Sequence, residues 1–249
     1  MSKIWLRHGT EYKDGNANLI CFPYAGGSPA IFANWIKEFG DDINLCPVLY
    51  PGRDLRFGED IPSDIKAIVK EFVLDNEKLF NKDFVLLGYC AGGLFAYDET
   101  MIQVKELYGK TPKCFISISF ATPKFKMTLE DICNSVDDNE LIKYLLESRI
   151  IDEESAKNED FLEYYLPVIK ADLQAVVAYE YGDVRDIDCD IYGFFGKEDT
   201  MFNEEEKRYW NEYTSKKCEL MDIEGGHYCI DDNRDFIISF IKNMFKQEV

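Results

Sequence analysis

Residues 86–93 constrain the fold more than any other part of the chain. They read Leu-Leu-Gly-Tyr-Cys-Ala-Gly-Gly, an apolar strand pattern that breaks at Gly-x-Cys-x-Gly and continues as a helix. In so tight a turn, a side chain at Gly88 or Gly92 would strike the strand or the helix. The pattern predicts that Cys90 lies in a strained turn at the carboxyl edge of a sheet, beside a helix N-terminus whose dipole favours thiolate.

Short apolar runs alternate with helical patterns, which is typical of a parallel sheet with helices on both faces. The predicted strands are residues 18–22, 44–49, 84–88, 114–120, 190–195 and 218–223. The predicted helices include residues 31–39, 63–80, 91–108, 204–213 and 234–245. A Gly-x-Cys-x-Gly turn on such a sheet predicts the α/β-hydrolase fold, a mostly parallel sheet flanked by helices.

The alternation stops at residues 128–181, which are acidic, contain no good strand pattern and indicate two to four helices. We interpret this segment as a helical lid insertion over the site. The hydrolase core is then formed by residues 1–127 and 182–249. The alternative interpretation is a structural side domain.

Composition limits the partners and the cofactors. The net charge of −19 argues against nucleic acid and anionic membrane as partners, because both are polyanions. The eight cysteines include no C-x-x-C pair and no histidine cluster accompanies them, so we expect no metal site. The first residues have no signal-peptide core and no stretch approaches 18 apolar residues, so we expect a reduced, soluble, cytoplasmic protein. We also expect a monomer.

A nucleophilic cysteine needs a base, and the base needs an orienting acid. The chain has two histidines, and His8 precedes the first predicted strand. His227 lies in a Gly-Gly-His-Tyr turn after the last predicted strand, where the loop reaches the carboxyl edge of the sheet. We therefore predict that His227 is the base.

The acid should follow a strand between the nucleophile and the histidine in the chain. The apolar run 192–195 ends at Gly196 and is followed by Glu198 and Asp199. We favour Asp199, because the shorter carboxylate just beyond the turn is better placed to point inward. Glu198 remains the alternative, and either acid could be a solvated loop charge.

An oxyanion hole needs two backbone amides aimed at the developing charge. The first is the amide of Ala91, which follows the nucleophile. The second should come from the loop after the first strand, where Gly26 and Gly27 permit close approach of the backbone to a carbonyl. We assign it to Ala25, with Tyr24 as the near alternative.

These motifs resemble those of the type II thioesterases, the stand-alone editing enzymes of nonribosomal peptide and polyketide synthesis. The resemblance spans nearly the whole chain and rests on five motifs in order: residues 22–28 (FPYAGGS), 49–53 (LYPGR), 88–93 (GYCAGG), 166–172 (LPVIKAD) and 225–227 (GGH). Asp199 falls on the acid of the family. Two departures are Tyr89 and Cys90, which replace histidine and serine of the usual elbow; Tyr89 is expected to shape the substrate pocket together with Tyr24.

The resemblance implies hydrolysis of acyl or aminoacyl thioesters carried on the phosphopantetheine arm of an acyl- or peptidyl-carrier protein. The chain itself would bind no cofactor, since the pantetheine belongs to the partner. Sulfur at position 90 adds an alternative, because an acyl-Cys thioester stays activated and can be passed to a second thiol or amine. A third hypothesis is an inactive binding module with the hydrolase fold. A cysteine introduced in place of a native serine would give the same sequence.

Overall fold

The computed structural model describes residues 3–39, 42–61, 64–122, 137–147, 150–180 and 188–246. Its centre is a six-stranded sheet in the order β2-β1-β3-β4-β5-β6, with every neighbouring pair parallel. The strands are β1 (Ala17–Phe22), β2 (Ile43–Pro47), β3 (Phe84–Tyr89), β4 (Cys114–Ile118), β5 (Asp190–Gly196) and β6 (Cys218–Ile223). This sheet confirms the predicted α/β-hydrolase fold.

Helices cover the sheet between these strands. They are α1 (Ile65–Asp75), α2 (Gly92–Leu94), α3 (Met101–Tyr108), α4 (Asp138–Glu147), α5 (Glu159–Ala178), α6 (Glu204–Arg208) and α7 (Arg234–Lys246). A π-helical stretch, Phe95–Thr100, joins α2 to α3. Five 3-10 segments complete the described set: Pro29–Glu38, Asp54–Arg56, Glu77–Phe80, Ser155–Lys157 and Tyr209–Glu212.

The central strands are apolar because both faces of the sheet are covered. All six residues of β3 and all five of β4 are buried, as expected for strands that pack against helices on both sides. In register, Phe22 of β1 pairs with Gly88, and Tyr89 pairs with Ile118 of β4. The carboxyl ends of the three strands therefore lie side by side at one edge of the sheet.

The predicted insertion contains two described helices, α4 and α5, between β4 and β5. Leu141 and Leu145 give α4 one buried face, and α5 buries a longer stripe that includes Ile169 and Asp172. The boundaries at residues 128 and 181 lie outside the described residues, and the division into core and lid stays a prediction.

The described residues contain neither a membrane-spanning helix nor a cluster of metal ligands. No helix there combines the length and the apolar character needed to span a bilayer. Likewise, no group of three or more His, Cys, Asp or Glu side chains within the described ranges is placed to hold a metal ion.

Candidate active site

Cys90 occupies the turn between β3 and α2. Its φ angle is 51°, a left-handed conformation that is uncommon for any residue other than glycine. Hydrogen bonds hold the turn on both sides: the Cys90 amide donates to the Ile118 carbonyl at 2.8 Å, and the Gly93 amide donates to the Cys90 carbonyl at 2.8 Å. The chain is fixed in a conformation that presents the cysteine at the strand end.

The two glycines of the elbow have no room for a side chain, as predicted. A Cβ on Gly88 would lie 2.4 Å from the Gly93 Cα atom. A Cβ on Gly92 would lie 2.2 Å from the carbonyl oxygen of Phe22, the last residue of β1. The second contact shows that the elbow packs directly on the end of the neighbouring strand, so the loop after β1 lies beside Cys90.

Asp199 and His227 meet at the same edge of the sheet. Oδ2 of Asp199 lies 2.8 Å from Nδ1 of His227, while its Oδ1 accepts a hydrogen bond from the Met201 amide at 2.9 Å. Glu198 is exposed, and its backbone amide donates to the Gly225 carbonyl of the histidine turn at 2.9 Å. Of the two candidate acids, the structure pairs Asp199 with the imidazole.

The loops that carry this pair are pressed together by a close backbone contact. A Cβ on Gly196, at the end of β5, would lie 2.1 Å from the carbonyl oxygen of Gly226. The Lys197 amide also donates to the Ile223 carbonyl at 2.8 Å. The glycine at position 196 lets the acid loop approach the histidine turn closely enough for the carboxylate to reach the ring.

The imidazole of His227 also interacts with Cys90. Burial alone would lower the pKa of His227, but the negative charge of the Cys90 thiolate and the hydrogen bond with Asp199 outweigh it and raise the pKa from 6.5 to about 10. The buried Nε2 atom makes no hydrogen bond of ordinary geometry with the described residues. The Cys90 contact therefore falls short of that geometry, while the charge interaction, which decays slowly with distance, persists.

The pKa of Asp199 shifts in the opposite direction, because His227 stabilises its charged form. Burial raises the pKa of its carboxyl group, but the hydrogen bond and the positive charge of His227 outweigh burial, and the pKa is lowered below 3.8. The carboxylate is thus ionised at neutral pH and holds Nδ1 of the ring as a donor, which leaves Nε2 available to a reacting group.

The thiolate effect on His227 gives a testable prediction. In Cys90→Ala the pKa of His227 should fall from about 10 by at least about one unit, since the largest favourable contribution is removed and burial remains. An NMR titration of the imidazole in a His8→Gln background measures it, because the chain has only two histidines. Cys114→Ala, a buried cysteine at the start of β4, should leave the value in place. An unchanged pKa in Cys90→Ala would show that the thiol and the ring are not neighbours.

The loop after β1 supplies the second set of backbone amides. The Gly26 amide donates to Oδ2 of Asp172 at 2.7 Å, and the Gly27 amide donates to the Tyr24 carbonyl at 2.8 Å. Within the residues that the structure describes, the amides of Ala25 and Ala91 have no hydrogen-bond partner. These are the two predicted oxyanion donors, and both remain available.

Three tyrosines surround the cysteine. Tyr24, Tyr89 and Tyr228 meet edge to face, with ring centroids 5.2 to 6.0 Å apart. Burial raises the pKa of Tyr24 to about 12 and that of Tyr89 and Tyr228 well above 10, and the Cys90 charge contributes in all three. The rings therefore form an apolar wall close to the sulfur, which makes its surroundings low in water.

A cavity of about 340 Å³ opens beside the imidazole. Its lining includes Asp199, His227 and Tyr228, together with Tyr144 and Glu147 of α4. Cys90 is 8% exposed and does not line it. The opening thus reaches the proton-carrying ring rather than the sulfur itself.

Sequence reasoning missed two features of this site. The first is Tyr228, whose ring lies 4.9 Å from the imidazole centroid; its place directly after the histidine is the signal in the sequence. The second is the pairing of Arg53 with Asp172, which lie in the motifs 49–53 and 166–172. His8, set aside as a base, has its side chain beside Arg7 and Asp54.

Comparison with known proteins identifies the family of this chain. The thioesterase domain family matches residues 17–245. This chain belongs to the thioesterase domain family. Family membership identifies it as a hydrolase acting on thioesters, on a core of the hydrolase fold.

Individual relatives support this at low identity. The chain is 29% identical over 249 residues to the medium-chain S-acyl fatty acid synthase thioesterase of Anas platyrhynchos, covering 97% of this chain and 96% of that protein. It is 23% identical to the gramicidin S biosynthesis protein GrsT of Aneurinibacillus migulanus, covering 95% and 92%. The solved structure of the type II thioesterase BorB from the borrelidin biosynthetic cluster superposes with a TM-score of 0.86 at 24% identity, covering 98% of each chain. The proteins similar to this thioesterase thus include a gramicidin S biosynthesis protein and a fatty acid synthase thioesterase.

Proposed function

We propose that this thioesterase releases acyl or aminoacyl groups from the phosphopantetheine arm of a carrier protein through an acyl-Cys90 intermediate. The observation that carries the proposal is the convergence of Cys90, His227 and Asp199 at one sheet edge, with the pKa of the imidazole raised by its two neighbours. Two structural neighbours, ClbQ of the colibactin NRPS/PKS pathway and YbtT of the yersiniabactin NRPS/PKS pathway, support a carrier protein as the partner.

The first half of the cycle forms the acyl-enzyme. His227 Nε2 carries the proton given up by the Cys90 thiol, and the resulting thiolate attacks the thioester carbonyl. The amides of Ala25 and Ala91 stabilise the tetrahedral oxyanion. The intermediate collapses, the bond to the pantetheine sulfur breaks, and the leaving thiolate receives the proton from His227. Asp199 keeps the ring oriented and stabilises its cation throughout.

The second half releases the product. Water enters from the side of the imidazole, where the 340 Å³ cavity lies, and gives a proton to Nε2 as it attacks the acyl-Cys carbonyl. Collapse frees the carboxylic acid, and the proton returns to the Cys90 sulfur. The tyrosine wall of Tyr24, Tyr89 and Tyr228 strengthens the charge interactions by keeping bulk water away from the sulfur.

A second candidate function is supported by the sulfur itself. Formation of acyl-Cys90 exchanges one thioester for another and is nearly isoenergetic, whereas serine would form a more stable oxygen ester. Acyl-Cys90 would therefore remain activated toward a second thiol or an amine. This alternative is acyl transfer through the same residues.

Intact-mass spectrometry on the protein mixed with acetyl- or alanyl-loaded carrier protein tests the proposal. A transient adduct with release of free acid is the expected result, and Cys90→Ala should show neither. A lasting adduct that is discharged only by an added thiol or amine would establish transfer instead. Absence of any adduct or product with both loaded carriers would overturn the enzymatic proposal and leave the binding module.

A further inference from the structure

Asp172 of α5 is tied to two loops at the sheet edge. Its carboxylate receives two hydrogen bonds from the guanidinium of Arg53, Nη1 to Oδ2 and Nη2 to Oδ1, both at 2.6 Å. Oδ2 also receives the amide of Gly26 at 2.7 Å. Both side chains are buried, Arg53 at 4% and Asp172 at 8% exposure. Such bidentate, charge-assisted hydrogen bonds are strong, and they also fix the relative orientation of the two side chains.

The helix also packs on the loop after β1. Gly26 has a φ angle of 76°, and a Cβ there would lie 2.9 Å from the Cβ atom of Ile169 and 3.0 Å from the hydroxyl of Tyr165. Tyr165, Ile169 and Asp172 follow one another at helical spacing and so share one face of α5. The glycine is therefore required both by the backbone conformation and by contact with the helix.

Arg53 also donates hydrogen bonds directly to backbone carbonyls, one of them in the loop after β1. Its Nη1 also donates to the Gly27 carbonyl at 3.3 Å, and its Nε donates to the Pro51 carbonyl at 3.2 Å. The guanidinium thus binds Gly27 directly and Gly26 through Asp172. Two consecutive residues of the β1 loop are held by one ion pair, immediately after Ala25.

We propose that Asp172, oriented by Arg53, is a positioning residue that holds the β1 loop so that the Ala25 amide is left free for the acyl oxyanion. Gly26 donates to Asp172 and Gly27 to Tyr24, and both are thereby withdrawn from the carbonyl site. The inference rests on the proposed function, because it assigns Asp172 and Arg53 to the step in which the oxyanion forms. It also means that α5 must be seated on the loop for the oxyanion hole to be complete.

The test distinguishes a damaged oxyanion hole from a loss of thiol reactivity. Alkylation of Cys90 by iodoacetamide is a displacement at a saturated carbon and needs no oxyanion hole, whereas hydrolysis of acetyl-pantetheine does. In Asp172→Asn, kcat should fall about 10- to 100-fold with little change in KM, since a misplaced donor loses much of what a deleted donor loses. The alkylation rate of Cys90 should stay within about twofold.

Two further variants keep the result interpretable. The double variant Arg53→Met/Asp172→Leu removes both charges, so that no unpaired charge is left buried. If the single variant does not fold, the double variant should show the same loss of kcat with normal alkylation.

Glu59→Gln is the matched control. It removes the carboxylate partner of the buried Arg56 in the same β2–α1 connection, and it does not contact Gly26. Its kcat should equal that of the parent.

Three results would overturn the inference. The first is full kcat in a folded Asp172 variant, and the second is an equal fall in hydrolysis and alkylation. The third comes from hydrogen exchange measured by NMR, which needs no activity: the Gly26 amide should exchange slowly in the parent and faster in the double variant, and equal rates would contradict the proposal. If instead the parent and Cys90→Ala hydrolyse thioesters alike, the proposed function fails while the exchange result still decides the role of Asp172.

Discussion

Replacing Cys90 with alanine should lower kcat for carrier-bound thioesters by at least about 10⁴-fold. Such a loss corresponds to about 5.5 kcal/mol of transition-state stabilisation. The reason is that alanine cannot form the acyl-enzyme, and only the oxyanion amides and substrate binding remain. Initial rates of free-acid release from acetyl-loaded carrier protein, measured at saturating carrier, give the number.

The same variant should keep its fold. Cys90 is small and its positive φ angle is set by the flanking hydrogen bonds of the elbow rather than by the sulfur. We expect a loss of about 1 kcal/mol in the free energy of unfolding from the missing sulfur contacts. Cys114→Ala is the matched control, since it makes the identical change in a buried cysteine at the amino end of β4. It should turn over like the parent; equal rates in Cys90→Ala would remove the thiol from the mechanism.

Local signals were sufficient to predict much of the sheet. The predicted bounds of β6, residues 218–223, are those observed, and β3 and β5 each extend one residue further. β3 and β5 are mainly apolar runs, and β6 carries Glu219 and Asp222 among apolar residues. In all three the signal lies within a few residues. The elbow was predictable for the same reason, because a glycine two residues before and after a cysteine is a local pattern with a steric cause.

Helix interruptions were not predictable from periodicity. Residues 63–80 were predicted as one helix, but α1 ends at Asp75, where the Asn76 side chain donates to the Phe72 carbonyl at 2.8 Å and the chain resumes as a 3-10 turn. Residues 91–108 contain a π-helical stretch, in which the Thr100 hydroxyl donates to the Phe95 carbonyl at 2.6 Å. The predicted helix 31–39 is observed as part of a 3-10 helix, Pro29–Glu38, rather than as an α-helix. In each case apolar spacing is maintained while the hydrogen-bond pattern changes.

Contacts between residues far apart in the sequence were predictable only where the sheet topology brings them together. His227 and Asp199 were paired from the order of loops at a parallel sheet edge, which topology dictates. Arg53 and Asp172 are 119 residues apart, and Asp172 lies on a helix outside the strand alternation, so no rule about sheet edges brings them together. Their ion pair becomes visible only when α5 is placed on the β1 loop, and it gives two otherwise separate motifs a shared physical role.

Replacing His227 with alanine should lower kcat by about 10³-fold or more, because the thiol then lacks both its proton acceptor and the cation that stabilises its charge. Alkylation of Cys90 by iodoacetamide should slow in parallel, in contrast to the Asp172 variants. Asp199→Asn should be less severe, since the ring remains and only its orientation and cation stabilisation are lost. Steady-state rates and alkylation rates, measured on the parent, His227→Ala and Asp199→Asn, provide the comparison.

Chemical rescue makes the prediction for His227 specific. The cavity of about 340 Å³ reaches the imidazole from the solvent side, so free imidazole added to His227→Ala has a route to the vacated space. We expect a saturable, partial recovery of hydrolysis that increases with pH as the added imidazole becomes neutral near its own pKa. Cys90→Ala should show no recovery at any concentration, because a base without the sulfur cannot form the acyl-enzyme. Recovery in both variants would mean that imidazole attacks the thioester directly, and an unaltered rate in His227→Ala alone would reassign the base.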